Sequence, residues 1–291
     1  MRYPRVFRWN RSSAVLLSGF LFIVGLIVYV WWPLAEQVLG TIDWRGPWWL
    51  YMDWLLIGIF LFMSVTIVVG ADLRRDALII FVATIGGLVI EAWGTQTNLW
   101  SYYTNERPPL WIVPAWPIAT LSIDRITRLL LFFSARVPMT HEAAHDAASF
   151  PSIGHVSTGV PAPSSPDRSF YRILYWCVFA AFLAIMVPFV APTLNKPYTV
   201  LALLFCVLLI VTPLDHRHTL MVFAAGAGLG YSLELWGTTR ECWTYYTLQT
   251  PPLFAVLAHG MAAVAFWRTG LLLRSTMMYV LAARTGMRLP D

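Results

Sequence analysis

Long apolar runs alternate with short polar turns eight times along the chain. Runs of about 20 apolar residues match helices that cross a bilayer core about 30 Å thick. The first run spans Ser13–Trp32, and a loop with Gly40, Asp43 and the turn-forming Gly46-Pro47 follows it. It is too long for a signal-peptide core and no small-residue cleavage site follows, so a retained anchor is expected. The second run is Trp48–Gly70. A polar turn over Asp72–Asp76 leads to the third, which ends at Glu91. Pro108-Pro109 then opens the fourth, since proline suits the first turn of a helix. The fifth is Tyr171–Val190 and the sixth Tyr198–Thr212. The seventh ends at Glu234, and Pro251-Pro252 opens the eighth. The pattern predicts an all-α, polytopic membrane protein of eight transmembrane helices.

The polar segments between the runs repeat. Glu91–Leu110, EAWGTQTNLWSYYTNERPPL, returns 143 residues later as Glu234–Leu253, ELWGTTRECWTYYTLQTPPL, with eleven of twenty positions identical and no gap. Asp72-Leu73-Arg74-Arg75 and Asp215-His216-Arg217-His218 match at the same offset. An ordered set of Glu, Trp, Tyr and Pro is not what apolar composition repeats by chance, so the chain reads as an internal duplication. The predicted halves are residues 1–134 and 169–291. The Pro-, Ser- and His-rich stretch 135–168 is expected to be a flexible cytoplasmic linker. Four runs per half give both copies one orientation, a parallel repeat about an axis along the membrane normal.

Composition supports this assignment. The chain is 58% hydrophobic and 12% charged, far poorer in charge than soluble domains. Its many Trp, Tyr and Phe residues suit belts at two water–lipid interfaces. The formal charge of +5 is carried by arginine, Lys196 being the only lysine. Arg2, Arg5, Arg8, Arg11, Arg74, Arg75, Arg136, Arg168, Arg217, Arg274, Arg284 and Arg288 fall on one predicted side; Arg45, Arg107, Lys196 and Arg240 fall on the other. The positive-inside rule then puts both termini in the cytoplasm of a multi-pass cell-membrane protein, and both copies of the repeated motif outside. With no polar face to carry a basic groove, nucleic-acid binding is excluded. Cys177, Cys206 and Cys242 have no metal-ligand or redox spacing.

Ionisable residues within spans point to function. Glu91 follows Asp76 by fifteen residues, roughly 22 Å along a helix, in the outer part of the core. Each acid sits on a seam of small residues, Ala83-Gly87-Glu91 and Gly226-Gly230-Glu234, that lets another helix come close. Two pseudo-symmetric halves would bring the carboxyl groups to one outer cavity. Asp53, and His259 at the position of Trp116, are candidates to join them. A carboxyl group surrounded by hydrocarbon holds its proton and becomes a candidate general acid. Aromatic faces stabilise cations, and Trp93, Trp100, Tyr102, Tyr103, Trp236, Trp243, Tyr245 and Tyr246 would line such a site. Glu91 and Glu234 are therefore the catalytic candidates and the other named residues the substrate-binding ones. The plainer alternatives are acids that bond a broken backbone at Trp-Gly-Thr and aromatics that form only an interfacial belt.

Glu91, Gly94, Thr97, Trp100, Tyr102, Tyr103 and Pro114, with Glu234, Gly237, Trp243, Tyr245 and Tyr246, carry a resemblance. The pattern resembles the multi-span carotenoid 1,2-hydratases of carotenoid biosynthesis and is more distantly similar to membrane lycopene cyclases. It covers about 25 residues per half and departs at Trp100, at Arg240 in place of a second Thr97, and at the Pro-Pro pair. The resemblance implies addition of water or ring closure after protonation of an isoprenoid double bond. No cofactor is expected; the expected partners are a hydrophobic lipid or isoprenoid substrate and the bilayer itself.

Two other readings compete. The same cavity would serve a non-enzymatic lipid or small-molecule carrier, or a subunit of a membrane complex. His141-Glu142-Ala143-Ala144-His145, with Thr140 as a cap and His155 as a third ligand, fits the H-E-x-x-H of a zinc metalloprotease. That motif lies in the linker, too short to build a supported metal cavity, so no metal site is assigned. Asp124 and Arg128, spaced i, i+4, and Arg125, matched by Arg268, read as helix pairing and snorkelling toward headgroups.

Overall fold

The computed structural model describes the backbone of residues 9–134 and 165–285, and the side chains of 9–134 and 169–281. The linker motif at His141–His145, His155, and the arginines at 2, 5, 8, 136, 168, 284 and 288 lie outside those side chains.

Eight helices and one pair of short strands are described: α1 (Arg11–Leu39), α2 (Trp54–Val68), α3 (Leu73–Gln96), β1 (Trp100–Tyr102), α4 (Ala115–Ser134), α5 (Ser165–Val190), α6 (Pro197–Val211), α7 (His216–Thr239), β2 (Trp243–Tyr245) and α8 (Leu253–Thr285). The fold is all-α, as expected. Four of the helices are long and apolar enough to cross a membrane: Arg11–Leu39, Leu73–Gln96, Ser169–Thr193 and Leu253–Leu281. α2 and α6 are apolar but only 15 residues long. α7 is the most enclosed helix. It buries Arg217, Thr219 and Glu234 together with its apolar face, so neighbouring protein, not lipid, dictates its composition.

Side-chain oxygens start four helices. Asn10 accepts from the Ser13 N–H, Asp53 from Leu56, Asp72 from Arg74 and Asp215 from His218. Asp72 and Asp215 are a repeated pair, so the polar turn is a helix cap in both copies.

Three sequence expectations need correction. The third and seventh helices do not stop at Glu91 and Glu234 but run on to Gln96 and Thr239. Trp-Gly-Thr is therefore helical, and the broken backbone that would have occupied the acids does not exist. The fourth helix begins at Ala115, not at Pro108-Pro109. Turn bonds from Ile112 N–H to Pro109 O and Ala115 N–H to Ile112 O precede it, and the Trp111 ring is buried against Trp31 and Tyr102. In the second copy α8 does begin directly after Pro251-Pro252.

The sheet was not foreseen. β1 and β2 pair antiparallel, Trp100 opposite Tyr245, Ser101 opposite Thr244 and Tyr102 opposite Trp243. Ser101 and Thr244 occupy equivalent positions of the two copies, so a pseudo-twofold axis passes between them. The flanking bonds obey it: Tyr103 N–H donates to Cys242 O, and Tyr246 N–H donates to Leu99 O. Equivalent left-handed residues follow the helices and the strands, Asn98 with Glu241 after α3 and α7 and Asn105 with Leu248 after β1 and β2.

The opposite end carries a buried ion pair. Arg125 bonds Asp76 at 2.6 Å and the Val69 carbonyl at 3.3 Å, with side chains 5% and 1% exposed. Arg125 thus does more than the expected snorkelling. Its counterpart Arg268 bonds the Thr212 carbonyl, the position equivalent to Val69. In both copies this arginine closes the C-terminal end of the second helix of the repeat.

Candidate functional site

The site is built where α3 and α7 run beside β1 and β2. Glu91 and Glu234 lie five residues before their helix ends, about 8 Å along the axis. They are only 3% and 2% exposed, so each buried carboxyl needs partners from the protein. Each finds three in its own copy.

Glu91 Oε1 accepts from the Tyr102 hydroxyl at 3.0 Å and from Trp116 Nε1 at 3.0 Å; Oε2 accepts from Trp100 Nε1 at 3.2 Å. Glu234 repeats this with one change. Its Oε2 accepts from Trp243 Nε1 at 2.9 Å, and its Oε1 accepts from the Tyr245 hydroxyl at 2.8 Å. The third partner is His259 Nε2, 3.0 Å from Oε1, where the first copy has an indole. Indole N–H only donates, whereas an imidazole nitrogen donates or accepts according to its tautomer.

The glycines explain how the rings get so near. A Cβ on Gly94 would lie 1.8 Å from the Trp100 ring, and one on Gly237 would lie 1.9 Å from Trp243. A Cβ on Gly87 would meet Trp116 at 2.4 Å, and one on Gly230 would meet His259 at 2.5 Å. The Gly four residues before each acid and the Gly three after it are the floors on which its two ring partners rest.

The copies then meet face to face. Trp116 stacks on His259 with centroids 5.6 Å apart. Trp100 packs on Tyr245 and Tyr102 on Trp243, both at 5.9 Å. Each acid is therefore one ring removed from the other copy's ring cluster. The two acids converge on one cluster and neither faces bulk water.

A cavity of about 870 Å³ contains this cluster. Glu91, Glu234, Trp93, Trp100, Tyr102, Trp116, Trp236, Trp243, Tyr245 and His259 all line it, amid hydrocarbon side chains. Asp53, Tyr103 and Tyr246 do not. Asp53 instead caps α2, accepts from Trp236 Nε1 at 2.7 Å and pairs with Arg240 at 3.0 Å. The Tyr103 hydroxyl bonds the Val30 carbonyl of α1, and that of Tyr246 bonds the Phe189 carbonyl of α5 at 2.7 Å. These three residues tie helices together around the site. Trp93 Nε1 donates to Thr199 Oγ1 of α6 at 3.0 Å, as Trp236 does to Asp53 of α2. Each motif's first tryptophan thus grips the other copy's second helix.

The exposed residues of the lining are Phe81, Ile85, Val89 and Gln96 of α3 and Tyr198, Leu201 and Phe205 of α6. The cavity mouth is therefore a slit along the flank between these two helices, bridged by the Trp93–Thr199 bond. Sequence reasoning missed Trp31, which packs 4.6 Å from Trp236 and forms part of the lining. Its only signal was an aromatic residue at the end of an apolar run. Among the described residues no three His, Cys, Asp or Glu side chains gather as metal ligands. Comparison with protein-family models, characterised proteins and solved structures finds no match to this chain.

Proposed function

We propose that the protein is an integral membrane enzyme that protonates a carbon–carbon double bond of an isoprenoid, carotenoid-like hydrocarbon, leading to hydration or cyclisation. The observation that carries this is one cavity that combines two buried carboxyl groups, a ring-faced wall and exposed lining residues on α3 and α6 that are apolar or aromatic except Gln96. At about 870 Å³ it lies toward the upper end of small-molecule sites, ~300–1,000 Å³. By water's ~30 Å³ share of the liquid, that is the space of about thirty water-sized groups. Hydrocarbon lining and a lateral mouth suit a substrate dissolved in lipid. Acid groups and π faces suit formation of a carbocation in a site without bulk water. A carrier of a water-soluble molecule needs a route between two aqueous faces, which a mouth on the flank does not supply.

In this reading all eight helices cross the bilayer as two parallel repeats about the axis between Ser101 and Thr244. The short α2 and α6 cross with the help of flanking turns. The arginine-rich ends face the cytoplasm, and the acids lie beneath the outer surface. The resemblance to carotenoid hydratases points to the same chemistry. The test is organic extraction of the purified native protein and mass spectrometry of what comes with it. An isoprenoid hydrocarbon, or its hydrated or cyclised derivative, is expected. Phospholipid alone, together with unchanged lipid profiles in Glu91→Gln and Glu234→Gln cells, would sink the proposal.

A further inference from the structure

The two copies are nearly superimposable in pattern, yet they are not chemically equivalent. Both acids have one indole from the strand and one phenol. They differ in the ring contributed by the next helix, Trp116 of α4 against His259 of α8, each 25 residues beyond its acid. Trp116 gives Glu91 a fixed N–H that can neither take nor pass on a proton. His259 gives Glu234 a group that does both. His259 is also 20% exposed and lines the cavity, so its ring reaches the substrate space while Nε2 holds the acid.

Resting on the enzyme reading above, we infer that the copies have divided the work: Glu234 and His259 form the proton-transferring pair, and Glu91 is a fixed acceptor that stabilises the cation. The Glu234 O–H gives its proton to one alkene carbon. The π electrons form the new C–H bond, the other carbon becomes a carbocation, and Glu234 is left as carboxylate. A water molecule adds its oxygen lone pair to the cation. The proton it then sheds goes to the free nitrogen of His259, and the Nε2 proton returns to Glu234. The sum is alkene plus water to alcohol, with Glu234 reprotonated and His259 left in its other tautomer, which exchange of the Nδ1 proton through a further water molecule returns to the start. If a second double bond attacks the cation instead, the proton lost from carbon returns by the same route and the product is an isomer. Glu91, held by two indoles and a phenol, keeps its oxygens as acceptors throughout, beside the Trp100 and Tyr102 faces. His259 stacked on Trp116 lies at the contact of the copies, so the one reactive pair is served by both ring clusters.

The full-length protein in liposomes is offered two acyclic isoprenoid hydrocarbons, lycopene and squalene, and products are measured by mass. A positioned acid or base contributes about 10²–10⁴-fold. Glu234→Gln and His259→Ala should each lose at least about a hundredfold, and Glu91→Gln should lose at least about tenfold less than Glu234→Gln. Added imidazole should restore His259→Ala several-fold, and pyrrole, which matches it in shape but has no basic nitrogen, should not. Trp116→Phe, which removes one donor from Glu91, gives a second reading of that half if Glu91→Gln does not fold. Loss as deep in either variant of the Glu91 half as in Glu234→Gln, or rescue by pyrrole equal to imidazole, overturns the division while leaving the enzyme intact. Absence of product from the unaltered protein on both hydrocarbons overturns the enzyme reading and the division with it.

Discussion

A methyl group added at Gly94 tests the geometry of the site without any knowledge of its substrate. In Gly94→Ala the new Cβ would sit 1.8 Å from Trp100 Cη2 and 2.0 Å from Cζ3. Carbon atoms pack at about 3.5–4.0 Å, so the indole must retreat by about 2 Å. Its Nε1 is already 3.2 Å from Glu91 Oε2, and that retreat breaks the bond. Overpacking costs roughly 1–3 kcal/mol, and leaving a buried polar group unsatisfied costs about 1–3 kcal/mol more. Alanine's better helix propensity returns only about 0.5–1 kcal/mol. The net loss is about 1–5 kcal/mol. At roughly 2–4 °C per kcal/mol for a chain of this order of size, the midpoint should fall by at least about 2 °C.

The assay is thermal unfolding of the detergent-solubilised chain followed by intrinsic tryptophan fluorescence. Gly58→Ala and Gly228→Ala are the controls, because nothing lies within 4 Å of a Cβ at either. They should hold or raise the midpoint. Gly237→Ala should behave as Gly94→Ala, since its Cβ would meet Trp243 at 1.9 Å. Adding Trp100→Phe to Gly94→Ala should cost less than the two changes measured separately, as the smaller ring clears the methyl. A Gly94→Ala midpoint within 1 °C of the parent, or full additivity in the double variant, would refute the placement of Trp100 over the helix.

Two further outcomes are expected. Asp76→Asn leaves Arg125 with Asp124 as its one remaining carboxylate and should lose up to about 3 kcal/mol, whereas replacing both Asp76 and Arg125 with leucine should lose less; a double-mutant cycle in thermal unfolding measures this. Leu248 sits at φ 56° and is 74% exposed, where a left-handed backbone costs a side-chain-bearing residue about 1–2 kcal/mol. Leu248→Asn, which copies Asn105 of the first repeat, should raise stability by about 1 kcal/mol in the same assay.

What was legible in the sequence was what the duplication had kept identical. Glu91 and Glu234, their following glycines and the Trp and Tyr residues were all found because they repeat at 143 residues, and the structure gathers the acids with Trp93, Trp100, Tyr102, Trp236, Trp243 and Tyr245 around one cavity. Which atoms they bond was not legible. Trp116 and His259 differ in type and stand a helix away from their acids, so pairing them with Glu91 and Glu234 needs the packing of α3 on α4 and α7 on α8. The strands escaped notice because three residues give no periodicity. Their pairing is also satisfied across copies, where no local rule reaches. The end of α3 was misplaced by taking the acid as a helix stop, although Gly94 and Thr97 are compatible with the last turn. The late start of α4 reflects burial of Trp111, a tertiary preference that outweighs the proline signal. Asp76 and Arg125 stand 49 residues apart and are joined only by the fold.

The polar bonding of the site also bears on how such a protein arose. Every hydrogen bond to Glu91 comes from its own copy, and the same holds for Glu234. Between copies the contacts are ring faces, the β1–β2 pairing, the two tryptophan bonds to α2 and α6, the Asp53–Arg240 pair, the bonds from Arg217 to Leu131 and Ser134, and the packing of α4 on α7 and of α3 on α8. A single four-helix unit thus satisfies its expensive acid without a partner. What it leaves unsatisfied is a strand edge and an aromatic face, the features that a second copy would cover. This is the logic of a twofold dimer later joined into one chain. Co-expression of residues 1–146 and 147–291 as separate chains should therefore give a complex that copurifies through a tag on either half. Gly94→Ala should weaken the complex by displacing Trp100 from Tyr245. A Ser101→Pro change, which removes a main-chain N–H from the strand at the axis, should weaken it further. Two halves that each reach the membrane yet never copurify would mean that the linker, not the interface of rings and strands, holds the repeats together.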